Sequence, residues 1–372
     1  MTEPGDGTLA AHAGERAPVL GAPVRPGPVL STIYHLNGVA GPEARDGYGR
    51  PDNPTYRDLE AAIGALEGSS VHTRVFASGM AAVSAVLFGL LKAGDTVVVP
   101  SDGYYATRPL SADRLAAFGV AVRQAPTGGP QPVDGAALVL LETPSNPGMD
   151  VCDIAAVAAE AHAAGALVAV DNTTATPLGQ RPLDLGADLV LASDTKALTG
   201  HGDLLLGHVS TRDEALAARI TQWRTWTGAV PGPFEAWLAH RSLATLDLRL
   251  ARQAANALAV AELLAGRPEV IGVRYPGLRT DSGYPLAVRQ MRRFGGVLSA
   301  TLPSKGFVDR LLAASSLIGA ATSFGDVRTS IDRRAQWGGD TVPEGFVRIS
   351  CGIEDTADLV ADFTAALDAA EA

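Results

Sequence analysis

Short runs of Val and Leu alternate with longer alanine-rich segments, and this alternation limits the fold more than any other feature of the chain. Between residues 137 and 196 the order is "ALVLLETPSN", "DVCDIAAVAAEAHAAG", "ALVAVDNT" and "DLVLASDTK". An unbroken apolar run of four or five residues is a strand covered on both faces, and the alanine-rich segments carry helical spacing. Strand and helix in alternation predict an α/β fold with a mostly parallel, doubly wound sheet. Upstream, "TYRDLEAAIGALEG" and "SGMAAVSAVLFGLLKAG" predict helices, and "DTVVVPS" and "GVAVRQAP" predict strands. "GHVST" predicts one more strand.

The flanks differ from this middle part. Residues 1–54 are rich in Gly and Pro with little periodicity, which predicts an irregular arm laid over another surface. A single long helical pattern begins after Pro231 and runs through "PFEAWLAHRSLATLDLRLARQAANALAVAELLAG". Beyond it, "GGVLSATLP", "FVDRLLAASSLIG" and "GFVRISCG" mix strand and helix, as in an α+β unit. The expected organisation is an arm over 1–54, a large domain over 55–245 and a smaller C-terminal domain over 246–372. The length of 372 residues suits two domains.

Composition removes several function classes. The formal net charge is −10, which disfavours nucleic acid and anionic membranes as partners. No apolar run approaches a membrane span, and "MTEPGDGTLAAHAGERAP" has no apolar core of a signal peptide. Two cysteines, Cys152 and Cys351, form no disulfide framework and fit a reducing, cytoplasmic setting. No glycine fingerprint of dinucleotide enzymes and no nucleophile elbow is present, which argues against a dehydrogenase or a hydrolase. "GHGD" at 200–203 with His208 fits no common zinc spacing, so no metal is expected.

Ligands of open α/β sheets bind beyond the carboxyl ends of the strands. Asp102 and Tyr104, Glu142 to Asn146, Asp171, and Ser193 to Lys196 all fall there. Only three of the 30 basic residues are lysines, at 92, 196 and 305, and Lys196 sits among Ser193, Thr195, His201 and Asp203. One lysine and one buried aspartate at the ends of consecutive strands are what pyridoxal phosphate requires. The amine binds the aldehyde, and the acid keeps the pyridine nitrogen protonated. The plainer alternative is a solvated loop lysine and an aspartate that caps a helix. The helix opening at Ser78 and Gly79 offers free amides, including that of Met80, to a phosphate. Tyr104 could stack on a cofactor ring and carry a proton, or be an ordinary surface tyrosine.

The order of "YGRPDNPTYRDLE", "FASGMAAV", "ETPSNP", "VAVDNT", "QRPLDLGAD", "SDTKALTGHGD", "VPGPFEAW" and "VRISCGIED" resembles the Cys/Met-metabolism family of pyridoxal-phosphate enzymes. The family includes cystathionine γ-lyase, cystathionine γ-synthase and methionine γ-lyase. The resemblance implies the fold-type I architecture of pyridoxal-phosphate enzymes: an arm, a large sheet domain and a small domain. It also implies a homotetramer with active sites shared between two subunits. It makes Lys196 the cofactor-binding lysine, Asp171 the pyridine partner and Tyr104 the stacking tyrosine and proton donor, with a phenol pKa lowered by nearby cations. Gly79, Met80, Ser193 and Thr195 match the phosphate ligands, and Ser78 and Thr173 are counted among the cofactor-binding residues. Tyr48 and Arg50 match a pair that reaches the neighbouring subunit's phosphate. Asn146 matches a residue near the cofactor's phenolic oxygen, and Ser323 and Arg348 match the clamp on the substrate carboxylate. Thr322 stands where many relatives have glutamate, and Ala106 where methionine γ-lyases carry cysteine. The implied reaction is γ-elimination on a sulfur amino acid. Cystathionine would give cysteine, 2-oxobutyrate and ammonia; methionine would give methanethiol. The alternatives are γ-replacement on an O-acylhomoserine and, from another class, a catalytically inactive scaffold.

Overall fold

The computed structural model describes residues 4–36 and 47–371. Its central sheet has seven strands: β1 (His72–Phe76), β2 (Thr96–Pro100), β3 (Ala121–Ala125), β4 (Leu138–Glu142), β5 (Leu167–Asp171), β6 (Leu189–Ala192) and β7 (Gly207–Thr211). Their order is β1-β7-β6-β5-β4-β2-β3, parallel except at β7, which runs against both neighbours. The period-two alternation of a strand sends successive residues to opposite faces. Val97, Val99, Leu138, Leu140 and Leu191 therefore pack with the helix Gly79–Leu90. Val98, Val139, Leu141, Val168 and Val170 pack on the other face with the helix Ile154–Ala163. Covered on both sides, β4 is buried along its whole length.

A second sheet follows with β8 (Gly272–Arg274), β9 (Val297–Thr301), β10 (Gly319–Ala320), β11 (Ser330–Arg333) and β12 (Phe346–Ser350). Its order is β10-β11-β12-β9-β8, antiparallel apart from the β10–β11 pair. Its apolar face packs on the helices Lys305–Ala314 and Thr356–Glu371.

Two expectations from the sequence are corrected. The long helical pattern after Pro231 is two helices, Pro233–Leu243 and Leu246–Ala265. Thr245 leaves helical geometry, and the Ser242 carbonyl accepts from the Arg249 guanidinium at 3.0 Å. The second helix joins two cores: Leu246 and Leu250 pack with the first helices, Val260 and Leu264 with the small sheet. The arm is also not wholly irregular, because Asp6–His12 is helical and Ala10 and Ala13 pack beside Leu59 and Ile63. Part of the arm, residues 37–46, lies outside the described residues. Among the described residues, no helix is long and apolar enough to cross a membrane.

Candidate active site

The strand ends and the edge of the small sheet enclose a cavity of about 510 Å³. Ser78, Gly79, Met80, Tyr104, Asn146, Asp171, Thr173, Ser193, Thr195, Lys196, Ser323 and Arg348 all line it. Sequence separation between these groups reaches 270 residues, from Ser78 to Arg348. The fold alone brings them together.

At one end lies the start of the helix Gly79–Leu90. Ser78 Oγ caps it by accepting from the Ala81 amide at 3.1 Å. The first bond of the helix runs from the Ala82 amide to the Ser78 carbonyl, so the Gly79 and Met80 amides precede the intrahelical ladder. Gly79 has a steric reason to be glycine. A Cβ there would lie 2.5 Å from that of Ser193, because the two loops approach that closely. The Thr195 hydroxyl is engaged with the Leu206 backbone, accepting from its amide at 2.9 Å.

In the middle, Asp171 ends β5. Its Oδ1 accepts from the Thr173 amide at 3.0 Å and from the Thr173 hydroxyl at 2.5 Å. The same hydroxyl accepts from the Ser193 amide at 2.8 Å, which locks the ends of β5 and β6 together. Burial pushes the Asp171 carboxyl above its ordinary pKa despite these bonds. Glu142 at the end of β4 is likewise pushed well up by burial, with Asp171 adding to the effect. Its two oxygens accept from the Tyr104 amide at 2.6 Å and the Asn146 amide at 2.8 Å.

Lys196 Nζ donates to Ser323 Oγ at 2.7 Å. Burial, helped by the Arg348 charge, lowers its pKa to about 8 against the pull of Asp171. The turn after it is held by Arg249, whose guanidinium donates to the Ala197 and Leu198 carbonyls at 2.6 and 3.0 Å. Ser323 has a φ of 69°, a left-handed conformation that non-glycine residues adopt at a cost. Arg348, on β12, donates to Asn146 Oδ1 at 2.8 Å, the Ser323 carbonyl at 2.7 Å and Asp332 Oδ2 at 3.0 Å. Its Nε is buried without a partner among the described residues.

Tyr104 departs from expectation. Burial and the neighbouring Tyr105 raise its phenol to about 12, and the pull of Arg334 and Arg348 does not offset them. It is a neutral phenol, able to give a proton but not to act as a phenolate. Tyr48 and Arg50 are not brought to this cavity. Tyr48 is half exposed, and Arg50 donates to the Thr225 carbonyl. His201 is exposed, while His208 is buried between Asp194 at 2.7 Å and Glu67 at 3.2 Å. Burial would lower the His208 pKa, but the two carboxylates raise it to about 10.

Several wall residues escaped the sequence reading: Tyr105, Arg334, Trp337 and Phe324. The strand-end rule does not reach the last three, which lie on or beside the edge of the small sheet. Of the polar residues in the loop after β4, Ser145 and Thr143 serve their own loop by accepting from the Asp150 and Cys152 amides.

The arrangement fits pyridoxal phosphate. Two amides free of the helix ladder and the Ser193 hydroxyl suit a phosphate. A buried carboxylate, raised by desolvation, suits a protonated ring nitrogen. An amine with a lowered pKa suits an aldehyde.

Comparison with known proteins agrees. The chain is 57% identical to a Streptomyces coelicolor protein named "Putative cystathionine gamma-lyase", over 98% of this chain and 94% of that one. It is 39% identical to a cystathionine gamma-synthase of Mycobacterium tuberculosis, over 98% and 97% of the two chains. The solved structure of a methionine gamma lyase from Micromonospora echinospora superposes with a TM-score of 0.91 at 38% identity, covering 99% of this chain and 100% of that one. Residues 7–368 match the family described as Cys/Met metabolism PLP-dependent enzyme. With a cavity built for pyridoxal phosphate and a family match that spans nearly its whole length, this chain belongs to the Cys/Met metabolism PLP-dependent enzymes.

Proposed function

We propose that the protein catalyses γ-elimination on a sulfur amino acid, releasing a thiol, 2-oxobutyrate and ammonia. The observation that carries this reading is the convergence of the Lys196 amine, the neutral Tyr104 phenol and the Arg348 guanidinium on one cavity. Elimination needs a base at Cα, an acid at the leaving sulfur and an anchor for the carboxylate.

The cofactor, when bound, supplies an electron sink for the charge that develops on the substrate carbon. Asp171 would hold the ring nitrogen's proton, and Thr173 keeps the carboxylate aimed by bonding Oδ1. The Gly79 and Met80 amides and the Ser193 hydroxyl would hold the phosphate. Ser78 shapes that helix end as its cap, and Thr195 flanks it. Tyr48 and Arg50 lie away from their own cavity, which supports their serving a neighbouring subunit's site in a homotetramer. Asn146, held by Arg348, would face the cofactor's phenolic oxygen. Lys196 Nζ takes the Cα proton and then moves one from Cβ, whose electron pair expels the γ-sulfur; its lowered pKa makes it a base near neutral pH. Tyr104 Oη protonates the leaving sulfur. Arg348 and Ser323 bind the substrate carboxylate, a task suited to a planar fork of donors. Cys152 and Cys351, free and buried, suit a cytoplasmic setting.

The test is to incubate the cofactor-loaded enzyme with cystathionine and with methionine, and to assay 2-oxobutyrate and thiol. O-succinylhomoserine plus cysteine runs in parallel. Release of 2-oxobutyrate from a thioether supports elimination. Cystathionine formed from the parallel reaction, with no keto acid from thioethers, would replace it with a synthase.

A further inference from the structure

Arg334 and Trp337 of the segment 332–340 line the cavity, and the segment's charged groups belong to one chain of ion pairs. Arg334 is buried at 5% exposure. Its Nη1 donates to Asp332 Oδ2 at 2.7 Å, and its Nη2 and Nε donate to Asp340 Oδ2 at 2.7 and 3.0 Å. The oxygen it shares on Asp332 is the one that Arg348 holds at 3.0 Å. The other oxygen of Asp332 accepts from Trp337 Nε1 at 2.8 Å. Asp340 Oδ1 accepts from Arg108 Nη2 at 2.6 Å, and Arg108 follows Tyr104 by four residues. Arg334 also lies 5.9 Å from the centre of the Tyr105 ring, and the Tyr105 and Tyr104 rings are 4.8 Å apart. Gly339 packs on the same ring: a Cβ there would meet Tyr105 Cβ at 3.1 Å.

Arg348 and Tyr104 thus sit at two ends of one bridge with Arg334 at its centre. Three arginines, at 108, 334 and 348, face two aspartates, at 332 and 340, which leaves 3 − 2 = 1 positive charge. A substrate carboxylate would balance it. Such mutually satisfied buried ions hold geometry well, and losing one partner strands the others.

We propose that Arg334 is a positioning residue for substrate binding. It fixes the carboxylate clamp Arg348 through Asp332 and ties the Tyr104–Tyr105 turn to segment 332–340 through Asp340. It also sets the Trp337 wall of the cavity. This rests on the reading of Arg348 as clamp and Tyr104 as acid. Among the described residues, the hydrogen bonds and ion pairs of Arg334 go to Asp332 and Asp340 and not to the phosphate cradle or Lys196, so its loss strikes substrate binding and spares cofactor binding.

The test uses the cofactor-loaded full chain with Arg334→Met, Arg334→Lys and Asp340→Asn. The affinity for L-norleucine, which lacks a leaving sulfur, is read from the cofactor absorbance, and kcat and KM are measured with methionine and cystathionine. Arg334→Met is expected to weaken norleucine and raise KM by about 10- to 100-fold, with kcat changed far less. Cofactor content stays at the wild-type level. Arg334→Lys recovers part of the loss, and Asp340→Asn gives a smaller loss of the same kind. If Arg334→Met does not fold, the other two variants carry the same criterion. Norleucine binding within about twofold of wild type in every folded variant overturns the proposal. So does a fall in kcat with unchanged norleucine binding. If the wild type releases no keto acid from either substrate, the γ-elimination reading fails instead, and the norleucine titration still tests Arg334.

Discussion

The two walls of the cavity handle charge in opposite ways. On the central sheet, Lys196 and Asp171 face the space with no full counter-ion, and burial drives each toward its neutral form. On and beside the small sheet, Arg348, Arg334 and Asp332 are also buried and the Asp340 side chain is only 5% exposed, yet all four are paired. There Asp332 stays below its ordinary pKa, because Trp337, Arg334 and Arg348 outweigh its desolvation. Desolvation without pairing makes a group reactive; desolvation with pairing makes it rigid. One wall is poised to exchange protons, the other to hold an anion still.

Removing the unpaired amine should break the contrast most severely. Lys196→Ala is expected to cut the release of 2-oxobutyrate by about 10⁴-fold or more, and to abolish the visible absorbance of the loaded enzyme. A variant that kept both would remove Lys196 from the chemistry. On the paired wall the loss should be one of binding. Arg348→Met should lower kcat/KM by about 100-fold through KM, leaving Asp332 half-paired. A variant with unchanged KM would dissolve the distinction between the walls.

A third site, on β7 of the central sheet, sharpens the comparison. His208 is fully buried between two carboxylates, so it belongs with the paired groups. His208→Leu should destabilise the protein by about 3 kcal/mol in denaturant melts at pH 6. The folded-state pKa of about 10 lies above the ordinary 6.5. The stabilisation is therefore complete below about pH 6.5 and fades as pH rises through 10. The gap between wild type and variant should narrow along that path, and a constant gap would show that His208 is neutral. The smallest effect concerns the amine itself. In cofactor-free protein, modification of Lys196 by an amine-directed anhydride should reach half its limiting rate near pH 8, not near 10.5. The unfolded chain binds more protons between these values, so this group adds to stability as pH rises through them.

Much of the reactive wall was legible in the sequence. Its groups follow short apolar runs, and strand ends converge by topology, so Asp171 and Lys196 could be placed from "ALVAVDNT" and "DLVLASDTK" alone. Of the paired wall only Arg348 was named, and that through the family resemblance; Arg334, Asp332, Asp340 and Arg108 were not. "IDRRAQWGGD" has no periodicity, and its partners Arg108 and Asp340 stand 232 residues apart. Pairing of that kind is decided by tertiary packing. The break between Leu243 and Leu246 was hidden for the same reason, because alanine and threonine both tolerate a helix and the Arg249 contacts decide the outcome. The phenol of Tyr104 was misjudged because its burial and its contact with Tyr105, which outweigh the pull of Arg334 and Arg348, are set by tertiary packing.

The near-contact of Gly79 with Ser193 has a practical side. Alanine at 79 would act as a wedge between the start of the helix and Ser193, prising open the phosphate end of the cavity. Retention of the vitamin could then be loosened without touching selectivity for the amino acid, giving a handle for exchanging it with synthetic analogues.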